Sequence, residues 1–280
     1  MRLTRRDFIR KTLRATAATG LLYTLAEPWR VEVEKITIRL PGLPASFEGF
    51  RIVQLSDLHY LPFTTLAQIG DVVDRTNSLK PDLVVITGDF VTGGHKRVGE
   101  LTPVLERLRA PHGVTGILGN HDKAAGAASI TATLRKAGLE MLRNEGRELS
   151  HGGSSIFLAG VDSICGGGGY PDLKKALAQR PPAKTTLLLA HEPDFADKVH
   201  AHASVALQLS GHTHGGQVCF PLVGALILPA WGKKYWKGLY TVNRTQLYTN
   251  RGIGTTGAPV RFGSLPEITE ITLTAAPLPA

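Results

Sequence analysis

The stretch PDLVVITGD, Pro81–Asp89, decides how this chain is read. Its centre, Leu83 to Ile86, is unbroken aliphatic and largely β-branched. Successive strand residues point to opposite faces, so a run without a polar member suits a strand buried on both sides. The run then stops at Thr-Gly-Asp, which sets a carboxylate at the strand's carboxyl end. Four more runs repeat this design: RIVQLSD (Arg51–Asp57), GVTGILGNHD (Gly113–Asp122), TTLLLAH (Thr185–His191) and VALQLSGHTH (Val205–His214). Each ends in oxygen or imidazole donors. Helical patterns lie between them, at Thr65–Leu79 and Leu101–Leu108, with a weaker one at Asp194–Ala203. Alternating strands and helices predict a largely parallel α/β sheet, whose functional sites form beyond the carboxyl ends of the strands. SSIFLAGVD, QLYTNRG and EITEITL are expected as strands of a second sheet. The glycine-rich CGGGGYPD, Cys165–Asp172, lacks the Lys-Ser/Thr ending of a phosphate-cradling loop and reads as a plain loop.

The chain has 280 residues, 42% of them hydrophobic, enough for one large core or two small ones. No run of 18 apolar residues follows the N-terminus, so no internal transmembrane helix is expected. The formal charge is +9, but +5 of it sits in the first 14 residues. The remaining +4 is ordinary, and nucleic acid is not expected as a partner. Two cysteines, Cys165 and Cys219, exclude a thiolate metal site built on C-x-x-C and leave a disulfide open.

Residues 1–26 read as an address rather than as fold. TRRDFIRK, with adjacent Arg5 and Arg6 before Phe8 and Ile9, resembles a twin-arginine export signal, followed by a modest apolar stretch, Ala15–Ala26. This implies export machinery as a partner and a location across, or anchored to, the cytoplasmic membrane. The alternative is a basic amphipathic helix on a cytoplasmic, membrane-peripheral protein. Residues 27–280 are expected to form the functional domain.

The donors at the strand ends are Asp57, His59, Asp89, Asn120, His191, His212 and His214. One metal needs three or four, so seven fit two cations if a carboxylate is shared. Mixed imidazole and carboxylate donors suit manganese, iron or zinc rather than calcium. In GHTH the two histidines are expected on one face of an extended segment, since residues i and i+2 share a side.

D-L-H at Asp57, G-D at Gly88, G-N-H-D at Gly119, the lone His191 and G-H-T-H at Gly211 resemble, in order, the motifs of the calcineurin-like metallophosphoesterase superfamily. The resemblance implies a four-layer α/β/β/α sandwich. It implies one metal on Asp57, His59, Asp89 and His214, and a second on Asn120, His191 and His212, with Asp89 bridging. It further implies that a metal-bridged hydroxide attacks phosphorus. His121 then faces the substrate as phosphoryl contact and general acid, and Asp122 orients its ring.

The signal, GHTHGGQ, LPAWGKKYWKGLY and NRGIGTTGAPVRFG are together similar to bacterial YaeI/YkuE-like phosphodiesterases, which implies a lipid-linked or nucleotide-sugar-lipid phosphoester such as UDP-diacylglucosamine. Leu226, Ile227, Leu228, Trp231, Tyr235 and Trp236, with Lys233, Lys234 and Lys237 nearby, read either as core and turn residues or as an apolar, basic rim for a lipid or membrane surface. Arg251 and Arg261 are phosphate-contact candidates by the bidentate fork of arginine, and ordinary surface arginines otherwise. A broad-specificity phosphatase or nuclease of the same superfamily, or a non-catalytic metal-binding module, are the alternatives to a phosphodiesterase. A monomer is expected.

Overall fold

The computed structural model describes residues 24–182, 184–199 and 205–276, together with Arg6 and Lys11. The twin-arginine stretch therefore lies almost wholly outside the described residues. Two six-stranded sheets dominate. The first runs β1 (Glu32–Pro41), β14 (Glu267–Ala276), β2 (Arg51–Leu55), β3 (Leu83–Ile86), β4 (Val114–Gly116) and β5 (Glu140–Met141). The second runs β12 (Gly238–Val242), β13 (Thr245–Thr249), β9 (Val205–Ser210), β8 (Thr186–Leu189), β7 (Ser154–Gly160) and β6 (Glu145–His151). A short ribbon, β10 (Cys219–Phe220) with β11 (Gly224–Ala225), stands apart.

The unbroken apolar runs are strands buried on both faces. In β3, Leu83 and Val85 join the core between the two sheets, while Val84 and Ile86 join the core beneath the helices. In β8, Leu187 and Leu189 face the first sheet, and Leu188 faces the opposite layer. Three helices cover the first sheet: α1 (Leu66–Ser78), α2 (Arg97–Leu105) and α3 (Asn120–Lys136). Two short ones, α4 (Leu173–Ala176) and α5 (Ala196–Val199), cover the second. The result is the expected α/β/β/α sandwich.

Helix α1 has the expected limits, and Thr65 closes a reciprocal capping box with Gln68. Helix α2 begins four residues before the expected start, because its buried stripe is Val98, Leu101 and Leu105 rather than Leu101 and Leu108 alone. Of the Asp194–Ala203 pattern, the described part is a 3₁₀ turn at Pro193–Phe195 followed by α5, and residues 200–203 lie outside the described residues. EITEITL, expected in the second sheet, is β14 of the first, parallel to β1 and antiparallel to β2. Its alternation cannot say which sheet has a free edge to receive it. Strands β2, β3 and β4 are parallel neighbours, as are β7, β8 and β9. Their carboxyl ends therefore gather on one side of the sandwich. Among the described residues no helix is long and apolar enough to cross a membrane.

Candidate active site

All seven expected donors meet at that side, supplied by the ends of β2, β3, β4, β8 and β9. Six of them, with His121, fall into overlapping groups: Asp57, His59 and His214; His59, Asp89 and His121; Asp89, His191 and His212, each with ligand atoms within 4.8 Å of one another, and Asn120 Oδ1 joins the last at 3.2 Å from His191 Nε2. Asp57 is pinned from behind, its Oδ2 accepting from Ser56 Oγ at 2.6 Å and the His212 N–H at 2.9 Å. Its Oδ1 is left 3.5 Å from His214 Nε2. Asp89 Oδ1 accepts from the His121 N–H at 2.8 Å. Asp89 Oδ2 sits 3.5 Å from His59 Nε2 and 3.3 Å from His191 Nε2, between the two ends of the cluster.

The hydrogen-bond partners of the rings bear on which nitrogens face inward. His191 Nδ1 lies 2.7 Å from the Thr87 carbonyl, and His214 Nδ1 lies 3.2 Å from the Gly254 carbonyl. A carbonyl only accepts, so His191 Nδ1 carries the proton and its Nε2 turns a lone pair inward, whereas His214 Nδ1 stands between the Gly254 carbonyl and the Arg261 Nη2 donor at 3.3 Å. His212 is reversed: its Nε2 donates to the Ala230 carbonyl at 2.9 Å, which leaves Nδ1 as the lone pair. The His191 lone pair then faces Asp89 Oδ2 and, at 3.2 Å, Asn120 Oδ1. His214 Nε2 stands 3.1 Å from His59 Nε2. Imidazoles and carboxylates converging at this range suit a cation. The residues present fit divalent metal, by donor chemistry and by this orientation alike.

The titration directions agree. Burial pushes His59 down to about 4 against the pull of Asp89 and Asp57. Burial, then His59 and Arg261, hold His214 well below the ordinary value, and burial with His191 lowers His212. His191 goes the other way: burial lowers it, but Asp89 outweighs burial and raises it well above the ordinary value. Asp89 is itself held far below the carboxylate range, since His191, His59 and His121 outweigh the upward push of burial. Without a cation, the carboxylate thus draws a second proton onto His191.

The local backbone is strained where the donors sit. Asp57, His59, Asp89, His212 and His214 all have positive φ, at 51°, 44°, 55°, 71° and 52°. Such conformations are costly for non-glycine residues and gather at functional sites. They also correct the expected geometry of GHTH. Strand β9 ends at Ser210, and the two histidines follow on left-handed turns, not on an extended segment. Their rings go to opposite ends of the cluster, His214 with Asp57 and His59, His212 with Asp89 and His191.

His121 lines the cleft, with its ring centroid 4.8 Å from that of His59. Asp122 does not orient it. Its two oxygens accept from the Val91 and Gly119 N–H groups at 3.2 and 3.1 Å, because a residue in the first turn of α3 reaches back to the free backbone donors there. Burial and the nearby Asp89 push the Asp122 carboxyl up to about 7. The arginines lie behind the cluster. Arg261 is fully buried, donating to the carbonyls of Gly252, Gly254, Arg251 and Ser264, and burial lowers it to about 9. Arg251 pairs with Glu267, Glu32 and Glu34. Neither lines the cleft. Trp231, Tyr235 and Trp236 do not line it either. Tyr235 donates to Asp197, and the Trp236 carbonyl accepts from Thr213. Their segment braces His212 from outside, through Ala230.

The cleft itself holds about 380 Å³ and is walled by His59, Asp89, Asn120, His121, His212 and His214 together with Val218, Leu226, Ile227 and Pro229. Residues absent from the sequence reading do much of the positioning. Ser56, Thr87, Ala230 and Gly254 act on ligands chiefly through backbone carbonyls or a single hydroxyl, which carry no sequence signal. Glu192, buried beside His191, accepts from Ser163 Oγ and the N–H groups of Ile164 and Cys165, and so ties the glycine-rich loop to the site. An acid directly after a strand-end histidine was a legible hint. Cys165 and Cys219 are both free.

A family model of the calcineurin-like phosphoesterases matches residues 50–216, the span from β2 to the turn after His214. The chain belongs to the calcineurin-like phosphoesterase family. It is 38% identical to the metallophosphoesterase YkuE of Bacillus subtilis, over 97% of this chain and 98% of that one. It is 32% identical to phosphodiesterase YaeI of Escherichia coli, over 94% of this chain and 98% of that one. The crystal structure of a 5'-nucleotidase precursor from Thermus thermophilus superposes with a TM-score of 0.50 at 14% identity, covering 80% of this chain and 54% of that one, and so shares the fold alone. This phosphoesterase is a metal-dependent phosphoester hydrolase whose Asp/His cluster is its candidate metal site.

Proposed function

We propose that this phosphoesterase is a phosphodiesterase that works with two divalent transition-metal ions, on the outer side of, or anchored to, the cytoplasmic membrane. Its substrate would be a phosphoester carrying an apolar, lipid-like group. One observation carries the two-metal reading. Asp89 Oδ2 lies 3.5 Å from His59 Nε2 on one side and 3.3 Å from His191 Nε2 on the other, with Asp57 and His214 beyond the first and Asn120 and His212 beyond the second. A carboxylate so placed serves two cations and offsets their repulsion. When bound, such cations supply a water of lowered pKa and neutralise phosphoryl charge. The rest is the work of side chains. The His121 N–H fixes Asp89, and the His121 ring at the cleft wall is placed to contact a phosphoryl oxygen and give a proton to the leaving oxygen. Leu226, Ile227 and Pro229 form a wall with affinity for an apolar group. The twin-arginine stretch supports export.

The test is hydrolysis of bis(p-nitrophenyl) phosphate by the full chain, with manganese or with chelator, alongside elemental analysis of bound metal. Two metals per chain and manganese-dependent turnover are expected. Asp89→Asn should lose bound metal and at least about a hundredfold in kcat/KM. His121→Ala should keep its metal and lose about 10²–10⁴ in kcat. One metal per chain with full activity would overturn the two-metal reading. Loss of metal in His121→Ala would make His121 a ligand instead.

A further inference from the structure

The ribbon of β10 and β11 carries apolar side chains that none of the described residues covers. At its tip, Leu222 is fully exposed and Val223 is 73% exposed, while Ile227, just beyond β11, is 81% exposed and Leu226 57%. Exposed aliphatics scattered singly are ordinary, but a protruding contiguous group marks a binding surface. Leu222 moreover holds φ at 68°, a left-handed conformation unfavourable for leucine and compensated by no internal contact. The group is continuous with the catalytic cleft, because Leu226 and Ile227 belong to both.

The surroundings state what covers it. Between Lys198 and Pro266 the sequence has no Asp or Glu. Lys237, whose Nζ lies 3.9 Å from Cys219 Sγ at the base of the ribbon, stacks over the Trp236 ring at 4.7 Å, and Lys233 is exposed in the same segment. Lys234 is neutralised by Asp197. Glu27, reaching the ribbon's base from the N-terminal turn, is buried and accepts from the Gly263 N–H. An aliphatic tip above a tryptophan–lysine pair at its base is the pattern of an element that sits at an anionic lipid interface, with its tip among acyl chains and its cation at the headgroups.

We propose that the Cys219–Pro229 segment docks this phosphoesterase onto an anionic lipid bilayer and holds the mouth of its cleft at headgroup level. The proposal rests on the phosphodiesterase reading for what docking serves: a lipid-borne phosphoester would slide along Leu226 and Ile227 to the donors without leaving the interface.

The test separates docking from catalysis. The full chain is sedimented with vesicles of phosphatidylcholine alone and of phosphatidylcholine with phosphatidylglycerol, and each preparation is also assayed on soluble bis(p-nitrophenyl) phosphate. Wild type should pellet with the anionic vesicles, and less at high salt. The double variant Leu222→Asn, Val223→Ser should lower the lipid partition coefficient about tenfold or more while turnover of the soluble diester stays unchanged. Asparagine accepts the left-handed backbone at that position. Leu222→Asn alone, a milder change, should show an intermediate loss. Vesicle binding unaffected by either variant overturns the proposal and places any lipid anchor elsewhere, in the N-terminal segment for instance. Absence of wild-type vesicle binding overturns it too, and leaves the ribbon as a surface for a protein partner. Vesicle binding by a wild type that fails to hydrolyse the diester would leave docking intact and sink the catalytic reading instead.

Discussion

At the scale of single residues, the site is built from side chains that are each held by something unremarkable. Asp57 is fixed by Ser56 and a backbone N–H, His191 and His214 by carbonyls, Asp89 by the His121 N–H. Rigidity of this kind lets ligands keep their positive φ and their tautomers. Asp122 illustrates how the same chemistry can be structural. Both its oxygens accept from backbone N–H groups, and an asparagine would turn an N–H of its own toward one of those donors. Asp122→Asn should therefore cost about 1–3 kcal/mol, visible as a lower Tm. The acid limb of the pH–rate profile should stay where it is. A moved limb at unchanged Tm would restore Asp122 as the residue that orients His121.

At the scale of elements, each ligand depends on how closely two chain segments pass. Gly211, directly after β9, has no room for a side chain. A Cβ there would overlap Ser56 Oγ and the Asp57 carboxylate. Gly211→Ala must push the turn after β9 away from the turn after β2, separating His212 and His214 from Asp57. The expected result is a loss of bound metal together with a stability cost of about 1–3 kcal/mol. A variant with wild-type metal content, measured by elemental analysis, would show that these turns tolerate displacement. The helix caps matter less to the site: Thr65→Ala removes the α1 capping box and should cost about 1 kcal/mol with unchanged turnover.

At the scale of the whole molecule, the sandwich gathers imidazoles that must stay neutral in a buried place. An exposed histidine in the unfolded chain takes a proton near pH 6.5. His59 in the fold does so only at about 4, and His212 and His214 are also lowered. Between those values the unfolded chain binds more protons, so stability present above pH 6.5 is lost as the pH falls. His191, raised, acts the other way: its contribution is present at acid pH and fades as the pH rises through its folded value. Asp122, raised to about 7, acts with His191 over this range, so three lowered histidines stand against two raised groups. Chelator-treated protein should lose Tm between about pH 7.5 and 5.0, with His59 alone worth about 2 kcal/mol at the lower end. A Tm that holds or rises over that range would mean that His191 and Asp122 outweigh the three histidines.

The sequence determined the site's membership and the layers around it, for a local reason. Aliphatic runs such as Leu83–Ile86 must be covered on both faces, and the donors that close them, Asp89 or His191, then stand at a carboxyl edge. Only the tertiary structure decided the rest. Which sheet receives β14 depends on a free neighbouring edge, not on its alternation. Where Arg261 points depends on the carbonyls of Gly252 and Gly254, which any residue would have offered. That His212 and His214 part company follows from two left-handed turns, and that Leu222 is bare follows from every other layer having packed elsewhere. Burial demand is written in side chains one at a time. Edges, carbonyls and uncovered surface exist only once distant segments have met.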